Sequence, residues 1–292
     1  MCHHGSMLAS QRHERILAGL RDHGAVRIAD LTQELGVSDM TVRRDLLELA
    51  EQGLLRKVHG GAVSPQATSH EPGFEAKSAL ALDEKRAIAR AAVRLVSPGS
   101  SIALSAGTTT HLLAVEIAAD PRLRPLTVVT NSLPVAEALH RAGDPQLETV
   151  LTGGSRTPSD ALVGPLTEAA LASLRVDQTF LGAHGVSVEA GLTTPNLDEA
   201  ATDRALVAIA GRTVVLADHT KWRTTGLSVF ARLDQVDVLV TDDALPTSDQ
   251  EAARDVVEQL LVASPPDGPP APQSQPAQTP PTPAPQDGRT SR

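Results

Sequence analysis

Aromatic side chains are nearly absent, at 1% of 292 residues. Any core must therefore be built from Leu, Val, Ile and Ala. The composition allows one, with 41% hydrophobic and 21% charged residues. Cysteine occurs once, at Cys2, so no intramolecular disulfide can form, which fits a reducing cytoplasm. No run of about 18 apolar residues occurs, so no membrane span is expected, and the first residues lack the apolar stretch of a secretory signal. Neither a G-x-x-x-x-G-K-[ST] phosphate loop nor a G-x-S-x-G nucleophile elbow is present. Cys2, His3 and His4 could ligate a metal, but a free terminus supplies no outer shell. No metal and no cofactor are expected. The net charge of -9 rules out a uniformly basic surface and leaves room for a local basic face.

The length suits two domains. Residues 1–9 read as a disordered leader and 10–63 as a compact, charged unit. Residues 64–80 read as a linker rich in Ser, Pro and Ala, and 81–262 as a larger α/β domain. Residues 263–292, dominated by Pro, Gln, Ala and Thr, read as a disordered tail.

In the first unit, Ile16, Leu17 and Leu20 make one helical stripe that ends at Gly24. Val26 and Ile28 suggest a short strand. Leu31 and Leu35, four apart, mark a second helix, Gly36 permits a turn, and Ser38 can cap a third helix. On that third helix Val42, Leu46 and Leu49 share an inward face. At about 100° per residue, Met40, Thr41 and Arg44 point away from the core and Arg43 lies on the flank. Two helices joined by a glycine turn, the second exposing Ser, Thr and Arg near its start, form a helix-turn-helix whose second helix enters the major groove. Residues 54–62, Leu-Leu-Arg-Lys-Val-His-Gly-Gly-Ala, read as a β-hairpin wing, with Arg56 and Lys57 placed to touch phosphates. The unit holds eight Lys or Arg against eight Asp or Glu. DNA affinity must then come from segregating charge onto one face, and from dimerisation over two half-sites.

The motifs L-T-Q-E-L-G-V-S over 31–38, T-V-R-R-D-L over 41–46 and H-G-G-A over 59–62 resemble the DeoR family of bacterial regulators. That resemblance implies DNA contacts by Ser38, Thr41, Arg43, Arg44 and the wing residue His59. Without this context, Arg43 and Arg44 would read as solvated charges paired with Asp45 or Glu48.

From residue 100 onward, strands at 101–104, 126–130, 147–151, 178–181, 213–217 and 236–240 alternate with helices. The helices are expected near 108–119, 133–141, 166–174, 198–210 and 248–261. This predicts a largely parallel sheet covered by helices, with a ligand at the carboxyl ends of the strands. The loops there share a chemistry. Ser105-Ala-Gly107-Thr108-Thr109-Thr110 opens a helix, where free amides suit a phosphate. Thr130-Asn131-Ser132, the 152–156 loop ending in Arg156, and the 217–221 loop ending in Lys221 add amides, hydroxyls and cations. The stretches 182–185 and 191–194 are read as further loops at this edge.

This half also resembles the DeoR effector domain, similar in fold to ribose-5-phosphate isomerase and CoA-transferase domains. The resemblance rests on Glu84-Lys85, Gly107-Thr-Thr, Thr130-Asn-Ser, Leu181-Gly-Ala, Glu199-Ala and Ala217-Asp-His-Thr-Lys221. It implies a sugar-phosphate effector held by Gly107, Thr108, Thr109, Asn131, Glu199 and Lys221. Ser105 stands where many members carry Asp, which removes an acceptor for sugar hydroxyls. The rival reading is a sugar-phosphate isomerase, which needs a positioned carboxylate base. The 182–185 loop offers none, and its His184 reads as structural or ligand-contacting, so binding without turnover is favoured. The expectation is a cytoplasmic homodimer or homotetramer that represses a carbohydrate operon, binds duplex operator DNA and is controlled by a small phosphorylated metabolite.

Overall fold

The computed structural model describes residues 8–264, except 24, 52–53, 59, 64–73 and 79. Most of the expected leader and linker and nearly all of the Pro-rich tail lie outside the described residues. The first unit runs α1 (Ala9–His23), β1 (Ala25–Arg27), α2 (Ile28–Leu35), α3 (Asp39–Glu51), β2 (Arg56–Val58) and β3 (Gly61–Val63). Ile28, expected in the strand, is instead the first residue of α2. At spacings of three and seven from Leu31 and Leu35, it completes the buried stripe of that helix. Gly36, in the left-handed region at φ 65°, ends α2 by donating its N–H to Thr32 O at 3.1 Å. Ser38 starts α3, its Oγ accepting from the Thr41 N–H at 3.3 Å. Ile16, Leu20, Leu31, Val42, Leu46 and Leu49 close one apolar core.

A buried pair of opposite charges lies beside that core. Asp45, 1% exposed, accepts Arg12 Nε at 2.6 Å and Arg12 Nη2 at 2.9 Å. The bidentate pair ties α1 to α3, and its hydrogen bonds hold the Asp45 carboxyl below its ordinary range against the opposing effect of burial. Three strands in the order β1-β3-β2 form the wing, all antiparallel. The close pairing requires Gly61, because a Cβ there would sit 2.1 Å from Val26 O.

The second half begins with α4 (Phe74–Ser78) and α5 (Leu82–Ala92). It continues through β4 (Ser101–Leu104), α6 (Thr108–Ala119), β5 (Leu126–Thr130), α7 (Leu133–His140) and β6 (Leu147–Leu151). A small hairpin, β7 (Ser155–Arg156) and β8 (Leu162–Val163), leads into α8 (Pro165–Ala172) and β9 (Gln178–Gly182). Then come β10 (Gly185–Ser187), β11 (Gly191–Thr194), α9 (Leu197–Ile209), β12 (Thr213–Leu216) and β13 (Ser228–Ala231). The described chain closes with β14 (Val238–Asp242), α10 (Thr247–Arg254) and β15 (Gln259–Ala263).

Seven strands form one sheet in the order β15-β14-β12-β9-β4-β5-β6, and every pair in it is parallel. Side chains alternate between two cores. Ile102, Leu104, Phe180 and Val214 face one, while Ala103, Leu181 and Val215 face the other. Strands buried on both faces explain the continuous apolar runs in the sequence. Among the described residues, no helix is long and apolar enough to cross a membrane.

Two expectations need correction. The helix expected to reach residue 261 stops at Arg254, and Gln259–Ala263 instead pairs with β14 as an edge strand. A short apolar run such as Leu260-Leu261-Val262 suits either state, and the open edge of β14 decided it. The stretches 182–185 and 191–194 are not simple loops. Gly185–Ser187 and Gly191–Thr194 pair as antiparallel strands, with β13 beside them in a separate three-stranded sheet.

Replacing Asp45 by Ala removes two hydrogen bonds from a buried guanidinium. The expected loss is about 3–5 kcal/mol in the first unit, read as lost amide protection across α1 and α3 in hydrogen exchange. Unchanged protection there would show that the pair contributes little.

Candidate functional site

Two surfaces gather the residues singled out in the sequence. On α3, Arg43 and Arg44 are both exposed, each with a partner one turn away. Arg43 Nε donates to Asp39, and Arg44 Nε lies 3.5 Å from Glu48 Oε1. Asp45, an expected partner, is turned inward to Arg12 instead. Ser38 Oγ and Thr41 Oγ1 bond to each other at 2.9 Å at the exposed start of the helix. Exposed i,i+4 pairs are worth only about 0.3–0.5 kcal/mol, so a phosphate can displace the carboxylates at small cost. Lys57 is exposed on the wing. The Arg56 side chain and all of His59 lie outside the described residues.

The second surface is a cavity at the carboxyl ends of β4 and β9. From β4 the chain steps outward to β5 and β6, and from β9 it steps the other way to β12, β14 and β15. The connections part at this point and leave a crevice. One wall is the start of α6, with Gly107, Thr108 and Thr109 lining the cavity. No side chain caps α6 at Gly107, so its first amides and the positive end of its dipole face the opening. Lys221 and Lys77 add cations.

Carboxylates line the same cavity: Glu199 and Asp203, four apart on α9, and Asp218 after β12. Glu199 Oε1 accepts from Thr157 Oγ1 at 2.6 Å and also from Ser159 Oγ. Asp218 Oδ1 takes the Thr220 N–H at 3.1 Å, but its Oδ2 is buried with no hydrogen-bond partner among the described residues. The nearest cation is Lys85 Nζ at 3.9 Å, which is too far to donate. Lys85 is itself only 1% exposed and donates to the carbonyls of Lys77, at 2.8 Å, and Leu80. Burial lowers its pKa to about 8, with Asp218 opposing the shift.

The loop bearing Asp218 and Lys221 is fixed from behind. Asp242, fully buried, accepts the His219 N–H at 2.7 Å and faces His219 Nδ1 at 2.8 Å. That contact raises the His219 pKa and lowers that of Asp242, in each case against the effect of burial.

Of the expected ligand residues, Gly107, Thr108, Thr109, Glu199 and Lys221 line the cavity together. The other four are not among its lining residues. Ser105 is buried, its Oγ accepting the Gly182 N–H at 3.0 Å and tying β4 to β9. Asn131 is spent on the Ala106 N–H and the Leu162 carbonyl, both at 3.1 Å. Ser132 caps α7, and Arg156 is exposed and paired with Asp160 at 2.6 Å. Asp203, Asp218, Lys77 and Lys85 were missed as site residues. A signal existed for Lys85, which falls on the apolar stripe with Ile88, Ala89 and Ala92. His184 lines the cavity, its N–H donating to Thr193 O at 3.1 Å.

The His219 pKa is raised above 6.5. Its charged form therefore adds stability that is complete below about 6.5 and fades as pH rises through the folded value. Asp242, with its pKa lowered, adds stability above about 3.9 that is lost only on acidification. The stability gap between the wild type and His219→Gln should be widest near pH 6 and shrink towards pH 9 in thermal melts. A gap that widens with pH would contradict this assignment.

A family model described as a DeoR-like helix-turn-helix domain matches residues 12–68, and one described as the DeoR C terminal sensor domain matches residues 80–243. The HTH-type transcriptional regulator YgbI of Escherichia coli (strain K12), described as uncharacterized, is 38% identical over 261 residues. That match spans 88% of this chain and 99% of the relative. The lactose phosphotransferase system repressor of Staphylococcus epidermidis (strain ATCC 35984) is 35% identical over 234 residues, spanning 80% of this chain and 91% of the relative. Ribose 5-phosphate isomerase A of Methanocaldococcus jannaschii overlays with a TM-score of 0.37 at 23% identity, over 49% of this chain and 55% of that one. An overlay that low carries no argument about chemistry.

Proposed function

This chain belongs to the DeoR family of transcriptional regulators, and from that membership we propose that it represses a carbohydrate operon and is released by a phosphorylated sugar. The observation that carries the ligand class is the cavity lining, which sets the uncapped start of α6 and Lys221 beside the carboxylates Asp218, Asp203 and Glu199. The same cavity holds the uncapped start of α6 and Lys221, which suit the phosphate. One end of the ligand meets amides and cations, while the other meets Asp218, Asp203 and Glu199. Gly107, Thr108 and Thr109 are its proposed phosphate contacts. A repressor of the lactose phosphotransferase system among the relatives supports the carbohydrate assignment.

DNA is read by α3 through Ser38, Thr41, Arg43 and Arg44, and the wing adds phosphate contacts from Arg56, Lys57 and His59. A homodimer or homotetramer in the cytoplasm would set two such units over a repeated operator. The ligand shifts DNA affinity only as far as it prefers one of the two arrangements. Lys85 offers a route for that preference, because it lies against Asp218 while holding the carbonyls of Lys77 and Leu80 on the chain that leads back to the wing.

The isomerase alternative gains carboxylates from the cavity, since Glu199, Asp203 and Asp218 all line it. The curated relatives are nevertheless transcriptional regulators, and the proposal remains binding without turnover.

A thermal-shift screen of sugar phosphates on the full chain, followed by gel shift on DNA upstream of its own gene, tests the reading. Turnover of a sugar phosphate, or no response to any, would defeat it. Arg44→Ala should weaken operator binding by about tenfold or more while leaving ligand-induced stabilisation intact. Lys221→Ala should bind DNA normally and lose about tenfold in ligand affinity. If Lys221→Ala responds like the wild type, the phosphate contacts lie elsewhere.

A further inference from the structure

Met40 is 78% exposed, the highest value among the large apolar side chains of the described residues. A lone exposed apolar residue is ordinary on a protein surface. Its place is what matters here. Met40 is the second residue of α3, and at about 100° per residue it lies about 160° from the inward-facing Val42. Arg44 and Leu47 fall on the same outward side, four and seven residues further on, and Leu47 is 46% exposed. The outward stripe therefore runs apolar, basic, apolar, where a merely solvated helix face would be polar throughout. No core residue needs Met40, since Val42, Leu46 and Leu49 already close the inward face at 0–1% exposure.

The side chains around Met40 are engaged in holding the helix start. Ser38 and Thr41 bond each other, and Arg43 is held by Asp39. Met40 is left as a forward-pointing apolar group of three rotatable bonds at the amino end of the helix. In a helix-turn-helix those first residues meet base edges. In the major groove the apolar group presented by a base is the C5 methyl of thymine.

We propose that Met40 is a specificity-determining residue that reads a thymine methyl in the operator. The inference rests on the reading of α3 as the groove-reading helix, and it adds the base that the helix selects. Arg44 supplies attraction that is sensitive to salt, whereas Met40 carries no charge and contributes only discrimination.

The test uses the full chain and a random pool of 30-bp duplexes, selected by successive gel shifts to give a bound sequence. Each thymine of that sequence is then replaced singly by deoxyuridine, which keeps the pairing and removes only the C5 methyl. One thymine position is expected at which the wild type loses about fourfold in affinity, the worth of one buried methyl group. Met40→Ala should bind the two bases equally at that position, with an unchanged salt slope and an unchanged melting temperature. Selection repeated with Met40→Gln should move the preference there towards adenine, which a glutamine amide pairs in bidentate fashion. Indifference of the wild type to every deoxyuridine would overturn the proposal. So would Met40→Ala keeping the discrimination, or Leu47→Ala abolishing it in its place. A wild type that enriches no sequence would overturn the DNA-reading assignment of α3 itself, a failure distinct from selective binding without methyl sensitivity.

Discussion

All seven strands of the larger sheet run the same way, and its order reverses once, between β4 and β9. Everything at the cavity depends on that reversal. Parallel strands place all their carboxyl ends on one edge, and the parting of the connections opens a crevice between two loops there. Helix α6 starts at this crevice without a side-chain cap, so its dipole and free amides are directed at whatever enters. Helix α9 approaches across the other core and brings its carboxylates to the same opening. Opposite charges thus line one small space, a form suited to a ligand that is anionic at one end and hydroxylated at the other.

Buried charge recurs in both halves, with different consequences. Arg12 and Asp45 satisfy each other with two hydrogen bonds, and the pair locks α1 against the back of α3. Helix α3 is thereby fixed from inside, leaving its outward side chains on the surface. Lys85 and Asp218, at 3.9 Å, are an incompletely satisfied pair, with Lys85 committed to two backbone carbonyls and one Asp218 oxygen without a donor. Net charge conceals this, because -9 for the chain and an even balance in residues 10–63 say nothing about where single charges point.

Long-period features were legible in the sequence. The stripe of Val42, Leu46 and Leu49 defined the inward face of α3, and with it the outward placing of Arg44. Apolar strands separated by helices defined a parallel sheet, because both faces of such strands are buried and only crossover helices can connect them. The glycine and threonine run at 107–110 marked the start of α6. These are local signals that repeat over several residues, so the chain states them without reference to distant partners. Family motifs in both halves pointed the same way.

Pairing between distant segments was decided only in the folded state. Leu260-Leu261-Val262 became a strand because β14 had an open edge, which periodicity cannot register. Asn131 and Ser105 carry ligand-type side chains, yet the sheet edge uses them to join β4, β5 and β9, so their polarity is spent internally. Asp203 and Asp218 are fifteen residues apart and belong to different elements, and only the packing of α9 over the sheet sets both on one cavity. A carboxylate's chemistry depends on what lies within a few ångströms of it, and sequence distance does not supply that. The residue types were therefore set by the chain itself, while their assignment to structural or ligand-facing roles was made by the fold.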